Sequence, residues 1–363
     1  MLLECVLRCV RSQLIIPVIR RLRIACLWLL TVSPLRAVTA QTRIGVGGRR
    51  ILNVPLTVDT IVDGQRDTTV GRPLLLATNG QAVVFFDFGV NTLSAYSFSG
   101  KALWKVGRRG QGPGEWGNPT SLISAFDGSF VVNDGANVRL VQVDRTGKIA
   151  RSEQRESPLQ RLAPLPDGRL VVFSGARGIP TASLLAADWK SAVKIPWSDW
   201  PDSAVGLGGQ IRVASGRAGI AAVSIYTGRI MPLRNERAIE YGIASIDPKP
   251  LPVRVPVQVP DGSVIQNIPT GTKAAIRDAA IVGNHLFVLS NAVGAREKTA
   301  GHLIDVYEFP SLVYGGSLKL PIELNIMSGS DTFLVATSND PYPVIVRLRW
   351  DGKLLRDALD RLR

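Results

Sequence analysis

Phe98-Ser-Gly-Lys-Ala-Leu-Trp-Lys-Val-Gly-Arg-Arg-Gly-Gln-Gly-Pro-Gly-Glu-Trp116 reads as a strand, a tight Ser-Gly-Lys reversal, a second strand and a glycine-rich loop. Glycine at such reversals supplies positive φ without steric cost. Weaker copies of the first half of this stretch recur along the chain, so it is one unit of a repeat.

The repeat is anchored on a turn pair followed by an apolar run. Asn79-Gly80 precedes Ala82 to Asp87, Asp127-Gly128 precedes Ser129 to Asp134, and Asp167-Gly168 precedes Arg169 to Phe173. Ala218-Gly219 precedes Ile220 to Ser224, Gly283-Asn284 precedes His285 to Leu289, and Ser330-Asp331 precedes Thr332 to Ala336. Successive pairs lie 48, 40, 51, 65 and 47 residues apart. Four-stranded propeller blades take roughly 40 to 50 residues each. The longest interval holds an excursion around the proline-rich stretch Asp247 to Pro260. In the better copies a further strand follows: Thr92 to Phe98, Val138 to Val143 and Val344 to Trp350, each leading to a turn that contains Gly-Lys, the last being Asp351-Gly352-Lys353. Short alternating runs between turns, with almost no helical periodicity, predict an all-β chain. The fold expected is a six-bladed β-propeller of four-stranded antiparallel blades. The alternating segment Arg50 to Thr60 is expected to join the sheet of the last repeat and close the ring, which also protects strand edges. Two packed β domains are the alternative, against which the even spacing argues.

The first forty of the 363 residues have a different character. Ile24 to Val32 is an uncharged apolar core behind Arg20, Arg21 and Arg23, and Val38-Thr39-Ala40 offers the small residues a signal peptidase reads. A core this short does not span a hydrocarbon layer, which takes about 20 residues. Residues 1–40 are therefore expected to be a cleaved signal peptide rather than a retained anchor, with 41–363 a single propeller domain and 41–70 its lead-in. Cys5, Cys9 and Cys26 all fall in the leader, which excludes disulfides and thiolate chemistry from the remainder. Removing the leader leaves 37 basic against 28 acidic residues. These charges are scattered without an aromatic-interleaved basic run, so no nucleic-acid partner is expected.

Beyond the Ser-Gly-Lys turn, Gly107-Arg108-Arg109-Gly110-Gln111-Gly112-Pro113-Gly114-Glu115-Trp116 resembles the loop of bacterial six-bladed β-propellers related to NHL repeats. The Asp-x-x-Asn-x-Arg pattern of that family stands at Asp134, Asn137 and Arg139, while Asp87 and Asn91 keep only part of it. The resemblance is clear over Arg72 to Lys148 and degenerate from Gly168 to Leu355. It implies the fold and an exported location, and no particular activity.

Candidate chemistry is sparse. The loop's glycines would expose amides able to hold an anion, with Arg108, Arg109 and Glu115 as the charged residues of such a site; the other reading is a shaped connection between blades. Six-bladed propellers include lactonases with a central calcium. Calcium takes six to eight oxygen ligands, for which Asp87, Asn91, Asn133, Asp134 and Asn137 are the natural donors, although Asp and Asn at strand ends also cap turns. The two histidines, His285 and His302, are too few for a histidine-rich metal site, and no Gly-x-Ser-x-Gly nucleophile is present. Trp189, Trp197 and Trp200 form either a binding shelf or packing between blades. The sequence thus points to a monomeric, exported binding or scaffolding protein of the cell envelope, with a protein, peptide or glycan as partner, no assigned catalytic residue and no required cofactor. The alternative is a lactonase- or lyase-type enzyme with a central calcium ion.

Overall fold

The computed structural model describes residues 49–361 except 175–180, 197–210, 235–237, 240, 241, 254, 259–261, 263, 270, 292–299 and 340. The expected leader lies outside the described residues. After β1 (Leu56–Asp63), the first blade is β2 (Pro73–Thr78), β3 (Ala82–Asp87), β4 (Thr92–Ser97) and β5 (Ala102–Val106). The second is β6 (Pro119–Ser124), β7 (Phe130–Asp134), β8 (Arg139–Val143) and β9 (Ile149–Gln154). The third is β10 (Arg161–Pro164), β11 (Leu170–Ser174), β12 (Thr181–Leu185) and β13 (Ala192–Ile195). The fourth is β14 (Ile211–Gly216), β15 (Gly219–Ser224), β16 (Ile230–Arg234) and β17 (Ala238–Ile239). A hairpin, β18 (Val255–Gln258) with β19 (Val264–Asn267), occupies the long interval. The fifth blade is β20 (Ile276–Val282), β21 (His285–Ser290), β22 (Leu303–Glu308) and β23 (Tyr314–Lys319). The sixth combines β24 (Ile326–Gly329), β25 (Leu334–Ser338) and β26 (Val344–Trp350) with β1 as its outer strand.

This is a six-bladed β-propeller of four-stranded antiparallel sheets. Each turn-anchored run of the sequence is the second strand of a blade. Those strands are sandwiched on both faces, so β3 is buried throughout, whereas the outer strand β9 alternates half-buried with exposed. The inner strands β2, β6, β10, β14, β20 and β24 adjoin one another in a closed circuit. The buried apolar residues divide accordingly into six clusters, each shared by two neighbouring blades.

Two details depart from the sequence reading. The closing strand was expected at Arg50 to Thr60, but Pro55 separates two pairings. Ile51 bridges Ser317 in parallel on the edge of blade five, and β1 proper runs antiparallel to β26. Arg49 anchors the entry, donating from Nε to Asp305 Oδ1 at 3.0 Å and from Nη2 to Ser290 Oγ at 3.1 Å. Second, Asp351-Gly352-Lys353 does not turn into an outer strand, because β1 already fills that place. Asp351 instead caps the helix α1 (Gly352–Asp360), accepting from the N–H groups of Lys353 and Leu354. The i, i+4 pair Leu355 and Leu359 of α1 enters the core between blades five and six. Among the described residues no helix is long and apolar enough to cross a membrane.

Candidate functional site

The glycine-rich loop leaves β5 at Val106 and folds back on itself. Gly107 has φ +97°, and a Cβ there would stand 1.9 Å from Trp116 Nε1. Trp116 is fully buried, donates from Nε1 to Val106 O at 3.3 Å and meets Phe86 edge-on. Glu115 accepts from Gly112 N at 2.9 Å and from Arg108 Nε at 2.8 Å. The Gly112 amide first, and the Arg108 guanidinium second, hold its carboxyl below the usual carboxylate range. Arg108 and Glu115 are thus brought together, while Arg109 is exposed and contributes a backbone bridge to Trp116.

The second blade grips this loop from the other side. Asn137 Nδ2 donates to Gly110 O at 2.9 Å and to Asp134 Oδ2 at 2.7 Å. Arg139 donates to the carbonyls of Gln111, Gly112 and Glu115 and pairs with Asp134 at 3.3 Å. Asp134 itself is fully buried and accepts from the amides of Gly117 and Asn118. The glycine loop and the Asp134-x-x-Asn137-x-Arg139 pattern are therefore two halves of one joint.

Asp87 plays the same part in the first blade, taking the amides of Gly71, Arg72 and Gly89 at 2.7, 2.7 and 2.8 Å. Both aspartates sit opposite a proline that opens the inner strand, Pro73 and Pro119. Asn133 donates to Thr120 Oγ1 at 2.5 Å and Leu159 O at 2.6 Å, and Asn91 occupies a turn at φ 54°. The five oxygen donors considered for calcium are thus divided between blades one and two. Among the described residues no group of three or more His, Cys, Asp or Glu side chains is placed to hold a metal. His285 opens β21 beside Phe287, and His302 precedes β22. Trp189 is buried between blades two and three under the Arg151 guanidinium, 4.3 Å from the ring centre. Trp197 and Trp200 lie outside the described residues.

The axis carries polar groups that the sequence reading did not single out. A cavity of about 80 Å³ is lined by all six inner strands and contains Arg161, Arg212 and Asp278. Arg161 Nη1 donates to Thr120 O at 2.6 Å and Gln160 O at 2.9 Å. Arg212 Nε donates to Arg277 O at 2.9 Å and lies 3.6 Å from Asp278 Oδ1. Asp278 accepts from Ala279 N at 3.0 Å and Met327 N at 2.7 Å, and burial pushes its carboxyl up. Burial, and then the charge of Arg212, lower Arg161 to about 10. At one end of the inner strands lies a mouth of about 380 Å³, formed by the turns that join first to second strands in blades one, two, four, five and six, with Arg145 from the turn after β8. Asn79, Gln81, Phe126, Arg145, Arg217 and Phe333 line it, and Arg217 pairs with Asp331 across the turn of blade five at 3.1 Å.

No protein-family model matches the chain, and no curated protein matches it in sequence. Among solved structures, the WD40 repeats of RRP9 are similar at 12% identity over 81% of this chain and 97% of that one, with a TM-score of 0.50. Virginiamycin B lyase from Staphylococcus aureus matches at 12% identity over 82% of this chain and 99% of that one, with a TM-score of 0.49. A candidate exported protein from Bacteroides fragilis matches at 11% identity over 82% and 96%, with a TM-score of 0.49. The likeness to the RRP9 repeats concerns chain architecture alone and agrees with the propeller fold that the sheets themselves show.

Proposed function

We propose that the chain is an exported propeller of the cell envelope, related to the NHL-type proteins, that binds a protein, peptide or glycan at the mouth of its axis and catalyses no reaction there. The observation that carries this reading is the mouth itself. It is the roomiest of the cavities described above, and it presents aromatic, arginine and amide side chains, the residue types that anchor recognition surfaces. The NHL-type relationship is supported by the way the glycine loop and Asp134-x-x-Asn137-x-Arg139 meet in one joint. The calcium-enzyme alternative has less support, because the axial layer sets two arginines beside a single carboxylate, a field that repels a divalent cation.

Export and binding are tested separately. With a C-terminal alkaline phosphatase fusion, the expected result is phosphatase activity and loss of residues 1–40 by mass spectrometry. An inactive fusion with an intact N-terminus overturns the exported assignment. For binding, the purified chain is titrated calorimetrically with soluble peptidoglycan fragments and an acidic peptide. Saturable binding of one probe, lost in the R145A/R217A double variant, is expected. Retention in that variant removes the mouth as the site, and silence with both probes removes these two ligand classes. Millimolar calcium or chelator is expected to leave the melting temperature unchanged, whereas a calcium-dependent rise restores the enzyme alternative.

A further inference from the structure

The axial cavity is one layer of equivalent positions. In each blade one inner-strand residue pairs with the penultimate residue of the second strand. These pairs are Leu75 with Phe86, Ser121 with Asn133, Arg161 with Phe173, Arg212 with Val223, Asp278 with Leu289, and Ile326 with Thr337. All six inner residues line the cavity. Around the ring they read Leu, Ser, Arg, Arg, Asp, Ile, so Leu75 stands across the axis from Arg212 and Ile326 across from Arg161.

The charges of this layer do not cancel. Both carboxylate oxygens of Asp278 are engaged by backbone amides, and its separation from Arg212 Nε exceeds hydrogen-bond length. Arg161 has no carboxylate within ion-pair distance among the described residues; its partners are two carbonyls, both on Nη1. A guanidinium carries donors on three nitrogens, so Nε and Nη2 of Arg161 and both Nη groups of Arg212 are left over. Among the described residues, the guanidinium nitrogens that are both sealed from solvent and partnerless are Arg139 Nε and Arg155 Nε. The spare donors of Arg161 and Arg212 are not among them, and both residues line the cavity. Two like charges held in a partly buried space disfavour each other, and the charge of Arg212 adds to burial, the larger cause, in lowering the proton affinity of Arg161. An anion of single charge between them would relieve that repulsion and match the surplus.

We propose that this layer binds a small oxyanion, either inorganic phosphate or the carboxylate of a short organic acid, between Arg161 and Arg212 and facing Leu75 and Ile326. Guanidinium forks fit the geometry of such anions, and the cavity volume restricts them to a few heavy atoms. The site is independent of whatever occupies the mouth.

The test is the melting temperature of the full chain in acetate, phosphate and chloride at matched ionic strength, because a ligand of the folded state raises it saturably. Saturation with acetate, phosphate or both, and not with chloride, is expected; which salt acts identifies the source of the oxyanion. R161M is expected to weaken the response at least tenfold. D278N is expected to tighten it about tenfold, because it removes a like charge from beside the anion. That gain is a readout a merely structural role would not produce, and it decides the matter if R161M fails to fold. A response shared with chloride, no saturable response, or unchanged or weakened affinity in D278N overturns the proposal.

Discussion

Between the first and second blades the chain is sealed by neighbours in sequence. Gly107 to Trp116 folds back on itself, and Asp134, Asn137 and Arg139 hold it within thirty-odd residues of chain. Within the sixth blade the ring is closed by the two ends of the fold, with β1 laid along β26 from Leu56 opposite Trp350 to Asp63 opposite Val344. The loop joint is polar, built on backbone amides and carbonyls that glycine geometry exposes. The closing joint is a strand ladder with an apolar face, Ile61 and Val62 entering the core shared by blades six and one. A blade-to-blade joint made from local chain can use a specific motif, whereas closure must overcome the entropy of joining distant segments and does so by burying apolar surface.

If that contrast is right, the largest effect of a single substitution falls on the closing strand. Val62 is 3% exposed and packs in the core between blades six and one. Val62→Asp places an unpaired charge there, and a loss of about 3 kcal/mol or more is expected in urea denaturation. A loss below about 1 kcal/mol, the mean cost of an ordinary substitution, would show that the ring holds without β1.

The loop joint is sharpened by comparing its aspartate with that of the first blade. Asp134→Ala orphans the amides of Gly117 and Asn118 and leaves the Arg139 charge without its carboxylate. Asp87→Ala orphans three amides but no cation. The expected cost is about 3 kcal/mol for Asp134→Ala and about 1 kcal/mol less for Asp87→Ala, with faster proteolysis at Gly110 to Gly114 only in the former. Equal costs and equal proteolysis would mean that Arg139 contributes nothing through its pairing.

The same contrast explains what the sequence discloses. Turn glycines and the apolar second strands are contiguous, so the repeat and its number could be read directly, as could the glycine loop. The partner motif was visible too, at Asp134, Asn137 and Arg139, but nothing in a linear reading says that it grips the loop. The axial layer was not legible, because each blade supplies one residue and the six are separated by whole repeats. A faint mark does exist: Arg212 and Asp278 interrupt the apolar runs Ile211 to Ala214 and Ile276 to Val282, where an inner strand would otherwise carry aliphatic residues. The helix α1 was missed because one i, i+4 leucine pair is too short a period, and its cause lies at the other end of the chain, where β1 takes the outer place in blade six.

The smallest effect expected is electrostatic and tests the polar edge of the closing joint. Asp59 on β1 stands opposite Arg347 on β26 and accepts from Arg349 Nε at 2.7 Å and Arg347 Nε at 3.1 Å. The hydrogen bond from Arg349 leads in holding its carboxyl below the ordinary value, with Arg347 adding to the effect against a partial desolvation cost. Because the folded-state value is the lower one, the stabilisation is complete above the unfolded value of about 3.9 and is lost as pH falls through the folded value. Asp59→Asn is therefore expected to cost about 0.5 kcal/mol at neutral pH, solvent screening keeping it small. Urea midpoints of the two proteins should differ equally at pH 7 and pH 5, and the gap should shrink below about pH 4 as the wild-type carboxylate takes up its proton. A gap that persists undiminished into strong acid would mean that Asp59 acts as a neutral acceptor, and that closure rests on the ladder and its apolar face alone.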